Sequence, residues 1–150
     1  MRRVPDTSTA PPGYDRTTKV LHWATVAVLL AQFTVAVLLL LEDDDPVLGL
    51  HVLLGSTVLV LALSRVYRRR AVVTLPPWAE GLGRRARAWA HRIEQLLYLS
   101  LVLMPLSGAA VLLVDDDLLP LHLATHVVFA LALTGHLTIV LGHRLVHRMI

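Results

Sequence analysis

Lys and Arg are kept out of four long apolar runs, about residues 20–41, 47–65, 94–114 and 121–142, except for Arg65 at the last position of the second. Each run is close to the ~20 residues that a helix needs to cross the hydrocarbon of a bilayer. Lipid offers a peptide group no hydrogen-bonding partner, so only helices or closed barrels span it, and none of the runs alternates like a barrel strand. The chain is therefore expected to be all-α, a membrane four-helix bundle over residues 14–150. The first run is too long for a secretory signal and lacks a small-residue cleavage pattern. Residues 1–13, with Pro5, Pro11, Pro12 and Gly13, read as a disordered tail.

A hydrophobic share of 55% with only 5% aromatic, carried by blocks of Leu, Val and Ala, suits membrane helices better than a globular core. With no Cys, disulfides, thiolate-held zinc, iron–sulfur clusters and covalently attached c-type haem are excluded. A net charge of +3 would suit a nucleic-acid binder. The cations are segregated along the chain, however, and that pattern belongs to a membrane protein, with no nucleic acid as partner.

The connectors set an orientation. Of the 14 Lys and Arg, four precede the first run, eight lie between the second and third with Arg65 counted among them, and Arg144 and Arg148 follow the fourth. The other two connectors hold Glu42, Asp43, Asp44 and Asp45, then Asp115, Asp116 and Asp117, and no cation. The positive-inside rule then puts both termini in the cytoplasm, N-in and C-in, with two short acidic loops outside. The cytoplasmic stretch "GRRARAWAHRIEQ" is expected to lie along the membrane surface, its Arg residues on anionic lipid and Trp89 at headgroup level. Pro105 is expected to kink the third helix, freeing a carbonyl for a neighbouring helix or Ser107 to satisfy.

The histidines can be placed by depth on this topology. His22 falls at the cytoplasmic end of the first helix, His51 near the outer end of the second, and His122 near the outer end of the fourth. His136 comes 14 residues after His122, a rise of ~21 Å that returns to within ~40° of the same direction. The two share a helix face, one level with His51 outside, the other with His22 inside. Two cross-helix pairs, His51–His122 and His22–His136, are what two b-type haems need, each iron held by two neutral imidazoles from facing helices. Swapped pairs would have to reach across much of the bilayer. Ionisable groups inside a membrane are costly without a partner and mark functional sites.

Two alternates stay open. His126, one turn after His122, competes for the outer position, and His143, nearly in line with His136, for the inner. Otherwise His143 and His147 snorkel beside Arg144 and Arg148, and His91 lies at the interface. The i, i+4 histidine pairs have zinc-like spacing but no HExxH motif or carboxylate ligand, which disfavours a bare metal ion. Met104, beside Pro105, reads as packing rather than as a ligand. Gly55, one turn after His51, and Gly135, beside His136, would leave room for a porphyrin edge, although Gly is common in membrane helices generally.

The order of these patterns resembles the bacterial four-helix cytochrome b561 family. "YDRTTKVLHW" at 14–23 looks like its opening, with Tyr14 eight residues before the His22-Trp23 pair. "HVLLGSTVLVLALSRVYRR" resembles its second helix, and "HRIEQLLYLSLVLMPLSG" its third. The fourth helix is similar in having His122 and His136 fourteen apart, then His143 and a terminal Arg148-Met149. The resemblance covers about residues 14–149, and His126 is additional to it. It implies two b haems, a place in a bacterial inner (plasma) membrane, and electron transfer from quinol or to quinone. Any enzymatic role would be that of an oxidoreductase, with superoxide a proposed donor in part of the family.

Charge argues against superoxide here. An anion calls for a positive mouth over the outer site, and the outer loops carry only carboxylates. Outer propionates would turn to backbone amides, hydroxyls, water or a bound cation. Inner ones have Arg16, Lys19, Arg65 and Arg92 at hand. Quinol would enter from the lipid, and Ser56, Thr125 or Thr134 could hydrogen-bond it, or equally their own helix backbones. The leading expectation is thus a di-haem electron-transfer protein exchanging electrons with the quinone pool. A haem-bearing membrane anchor of a larger oxidoreductase, or a haem-free four-helix transporter or scaffold, are the rivals. Membrane lipid, quinone or quinol, a redox partner protein and a second copy in a homodimer are the partners to be tested.

Overall fold

A computed structural model describes residues 14–41, 45–71 and 83–148. The expected N-terminal tail and the Pro76-Pro77-Trp78 stretch lie outside those residues. Four long helices follow one another: α1 (Arg16–Leu41), α2 (Asp45–Ala71), α3 (Arg84–Leu113) and α4 (Leu119–Gly142). A 3₁₀ turn, Asp116–Leu118, leads into α4, and another, Leu145–Arg148, follows it. Among the described residues there is no strand, and all four helices are long and apolar enough to cross a membrane.

Local chemistry sets the helix ends. Asp15 caps α1, accepting from the Thr18 amide at 3.1 Å and the Thr18 hydroxyl at 2.5 Å. The same carboxylate accepts from Arg68 of α2 at 2.9 Å, fastening the start of α1 to the end of α2. The α2 helix outruns its expected end at 65 by six residues. Its last turn holds Arg68, Arg69 and Arg70, good helix formers whose charge opposes the negative end of the helix dipole.

The α3 helix begins ten residues before its apolar run, so "GRRARAWAHRIEQ" is no separate surface element but leads straight into the span. From Arg84 to Glu94 there is no Gly or Pro to stop a helix once nucleated. Arg69 pairs with Glu94 across the α2–α3 junction. The helix runs on through Pro105. Ser107 donates to the Met104 carbonyl at 3.0 Å, not to that of Leu101, the one the missing Pro105 amide leaves free. The turn into α4 is tied by the Asp115 carboxylate, which accepts from the Asp117 amide at 2.9 Å.

The helices pack in chain order, α1 on α2, α2 on α3 and α3 on α4. Among the described residues α4 brings no Cα within 8 Å of α1 or of α2. Packed helix axes lie 8–10 Å apart, so these backbones stand wider than direct packing allows. Phe33 of α1 and Phe129 of α4 reach into the space, ring centres 5.8 Å apart. At mid-depth a wholly apolar cluster of Val58, Ala62, Leu101, Met104 and Phe129 closes the interior. The outside is apolar too: Leu40 is 82% exposed, Leu113 84% and Leu131 70%. Facing water, such surface would drive aggregation; facing lipid, it is what holds the bundle in place.

Candidate functional site

The wide space beside α4 holds the histidines. At one end His51 of α2 and His122 of α4 face each other, ring centres 6.3 Å apart and planes perpendicular. A metal–imidazole bond is ~2 Å and each ring centre lies about 1 Å behind its nitrogen, so one metal between two imidazoles sets the centres roughly 6 Å apart. A cavity of about 290 Å³ opens here, lined among others by Gln32, His51, Gly55, Gly108, His122 and His126.

Two side chains hold the outer rings. Gln32 of α1 places its amide nitrogen 3.1 Å from His51 Nδ1 and 3.2 Å from Nε2. Ser107 of α3 lies 3.0 Å from His122 Nδ1. Gly108 lets α3 close on the ring, for a Cβ there would stand 3.0 Å from His122 Cε1. His126 shares the cavity, its ring centre 4.5 Å from that of His122. Its Nδ1 donates to the His122 carbonyl at 2.9 Å, leaving Nε2 uncommitted. Both His122 and its alternate His126 therefore stand at the outer site.

At the other end His22 of α1 and His136 of α4 are half-buried and close enough to interact. Unlike the outer pair, the two make no ring contact. His22 stacks edge-on against Trp23 at 5.5 Å, and its Nδ1 is buried without a partner. Of the four cations expected here, Arg65 is in electrostatic reach of both histidines. Its guanidinium is steadied over Tyr98 at 5.4 Å. Arg92 is exposed and turned over Trp89 at 6.0 Å.

His143 lies past the end of α4, exposed, with Nδ1 tied to the Ile139 carbonyl at 3.1 Å. His91 is exposed on the first turns of α3, and the His147 side chain lies outside the described residues. Met104 is buried in the apolar cluster, as packing requires.

The model of the prokaryotic cytochrome b561 family matches residues 13–150. The chain belongs to that family. Comparison with curated proteins and with solved structures returned no match. Family membership together with four apolar helices makes this a multi-pass bacterial membrane protein of haem-based electron transfer.

The residues fit the b haem that membership in the cytochrome b561 family implies. The helix pairs that carry these histidines, α2–α4 and α1–α4, are among those whose backbones stand apart, and the outer ring separation suits a shared iron. The neutral-imidazole donor set, without thiolate or carboxylate, suits haem iron rather than zinc.

Two supporting details read differently from expectation. The gap at Gly135 is filled by Ile93, whose Cδ1 would meet a Cβ at 2.8 Å, so it admits a neighbouring side chain rather than a porphyrin edge. The gap at Gly55 faces Gln32, 3.5 Å from a would-be Cβ. The hydroxyls considered for quinone donate to their own helices: Ser56 to Val52, Thr125 to His122 and Thr134 to Ala130. A hydroxyl so engaged has no hydrogen left for a quinone carbonyl.

Gln32, Ser107 and Gly108 went unmarked in the sequence reading as partners of the histidines. For Gln32 the signal was present, as a lone amide in the middle of an apolar run.

Proposed function

We propose that this cytochrome b561 carries two b haems, one between His51 and His122 and one between His22 and His136. We further propose that it exchanges electrons with the quinone pool. The observation that carries the reading is the outer pair, two imidazoles 6.3 Å apart on helices that bring no Cα atoms within 8 Å of each other. Bound there, haem supplies a one-electron couple. The chain's own residues supply the axial nitrogens, exclude water by the apolar lining, and orient the rings through Gln32 and Ser107. Arg65 supplies positive charge at the inner pair. Quinol is apolar enough to reach either site through the lipid, which suits a protein whose outer loop at 115–117 offers an anion no cation.

The orientation proposed is N-in and C-in. It is supported by Arg68, Arg69, Arg70, Arg84 and Arg85 at one end of the bundle and Asp115, Asp116 and Asp117 at the other. His51 and His122 then lie toward the outer face.

The test is a count of haem per chain in purified, reduced protein, for the wild type and for His51→Ala and His136→Ala. The expected result is a b-type spectrum with two haems, each variant losing a different one. A single haem, or the same haem lost in both variants, would exclude the pairing. A soluble redox subunit that co-purifies would instead favour the membrane-anchor reading.

A further inference from the structure

We propose that Gln32 is the positioning residue of the outer histidine pair: its carbonyl accepts the Nδ1–H of His51, aims Nε2 at a ligand, and holds down the reduction potential of that site. This rests on the haem reading above. Gln32 lies mid-span on α1 and is only 7% exposed. Its nitrogen sits against both ring nitrogens of His51, while its Oε1 is buried with no partner. An amide carbonyl left unmet in hydrocarbon is unfavourable, and Leu would fill the same volume without that cost. The amide is there for the ring.

A histidine that binds a metal through Nε2 is neutral and carries its proton on Nδ1. Only an acceptor can serve that proton, and in Gln32 the acceptor is Oε1. Half a turn of the amide exchanges its oxygen and nitrogen in nearly the same volume. The turned amide gives the ring the acceptor it needs, with the NH2 moved to the oxygen's former place. Gly55 leaves it space to do so, since even a Cβ there would stand 3.5 Å from the amide nitrogen.

Accepting from Nδ1–H pushes electron density toward Nε2 and favours the oxidised metal. The proton stays in the His51–Gln32 hydrogen bond throughout, so only an electron enters or leaves. At the inner site His22 Nδ1 has no such partner. An effect of Gln32 is therefore confined to the outer potential.

The experiment uses haem-loaded protein in detergent, with the potentials of both haems titrated optically and haem counted per chain. The outer haem is the one lost in His51→Ala. Gln32→Leu is expected to keep two haems and raise the outer midpoint, leaving the inner one in place. Gln32→Glu, which keeps an acceptor, is expected to hold the outer midpoint at or below that of the wild type. An unchanged outer midpoint in Gln32→Leu, or an equal shift of both haems, overturns the proposal. So does loss of the outer haem in both variants, which would make Gln32 a packing residue. A wild type without haem overturns the underlying reading as well, and the haem count alone tells that failure from the others.

Discussion

Gly108→Ala tests how tightly α3 is fitted to the outer site. The new Cβ would stand 3.0 Å from His122 Cε1 and 3.4 Å from each ring nitrogen. Carbon atoms rest at about 3.5–4.0 Å, so the ring must retreat by roughly half an ångström or α3 must lift from α4. An unligated ring can swing aside. A ring held by Ser107 at Nδ1 and by a metal at Nε2 cannot, and the overlap falls on the bound state. Overpacking of this kind costs ~1–3 kcal/mol, and Ala's better helix propensity returns up to ~1 kcal/mol. A net loss of about 1–2 kcal/mol weakens binding roughly 5- to 30-fold. Haem titrated into apoprotein should show that loss for the haem that His51→Ala abolishes, and none for the other. Gly135→Ala is the control. Its Cβ would come 2.8 Å from Ile93 Cδ1, a closer approach, but to the tip of a side chain that can rotate away. Inner-site affinity should stay within about twofold, less than the ~1 kcal/mol that separates tolerated from strained packing. Wild-type titration of Gly108→Ala, or a larger defect in Gly135→Ala, would show that Gly108 does not set the fit.

Arg65→Gln should lower the inner midpoint and leave the outer one unmoved, because a cation near His22 and His136 favours the gain of an electron; an unchanged inner midpoint in a redox titration would contradict this. The hydrogen bonds from Thr18, first its hydroxyl and then its amide, together with Arg68, hold the Asp15 carboxyl below its ordinary 3.8. A group lowered on folding stabilises above its unfolded value and loses that contribution as pH falls through the folded one. The melting temperature of the wild type should therefore drop more steeply below pH 3.8 than that of Asp15→Asn, and parallel curves would refute the role of the cap. Because the chain has no Cys, Asp116→Cys and Arg85→Cys give clean topology probes. A membrane-impermeant maleimide added to spheroplasts should label the first and reach the second only after lysis; the reverse would invert the proposed orientation.

The spans were legible because hydropathy is a one-dimensional quantity that survives in a sequence. Helix lengths were less so. The apolar run tells where lipid begins, not where hydrogen bonding stops, and α2 and α3 extend past their apolar runs through Arg68–Arg70 and Arg84–Ile93. The partners of the outer imidazoles depend on how hairpins close. Gln32 lies nine residues before the end of α1 and His51 six after the start of α2, while Ser107 lies six before the end of α3 and His122 three after the start of α4. That register was implicit in the chain once the turns were placed. The filling of the Gly135 gap by Ile93 was not, because it depends on the side-chain packing of α3 against α4.

Phe129 lies seven residues from His122 and seven from His136, 1% exposed, within a cluster that contains no polar atom beyond its backbone and the Met104 sulfur. The buried hydroxyls among the described residues, Thr25 and Ser100, are turned back onto the Leu21 and Leu96 carbonyls. Among the described residues, the side chains of that cluster offer no hydroxyl to carry a proton from one histidine pair to the other. An electron that crosses it on the proposed path leaves its proton behind. Each turnover then moves net charge across the dielectric, with or against a field worth ~2.3 kcal/mol per charge for every 100 mV. On the proposed path between the two histidine pairs, the apolar plug would thus make the rate of electron transfer a function of membrane voltage.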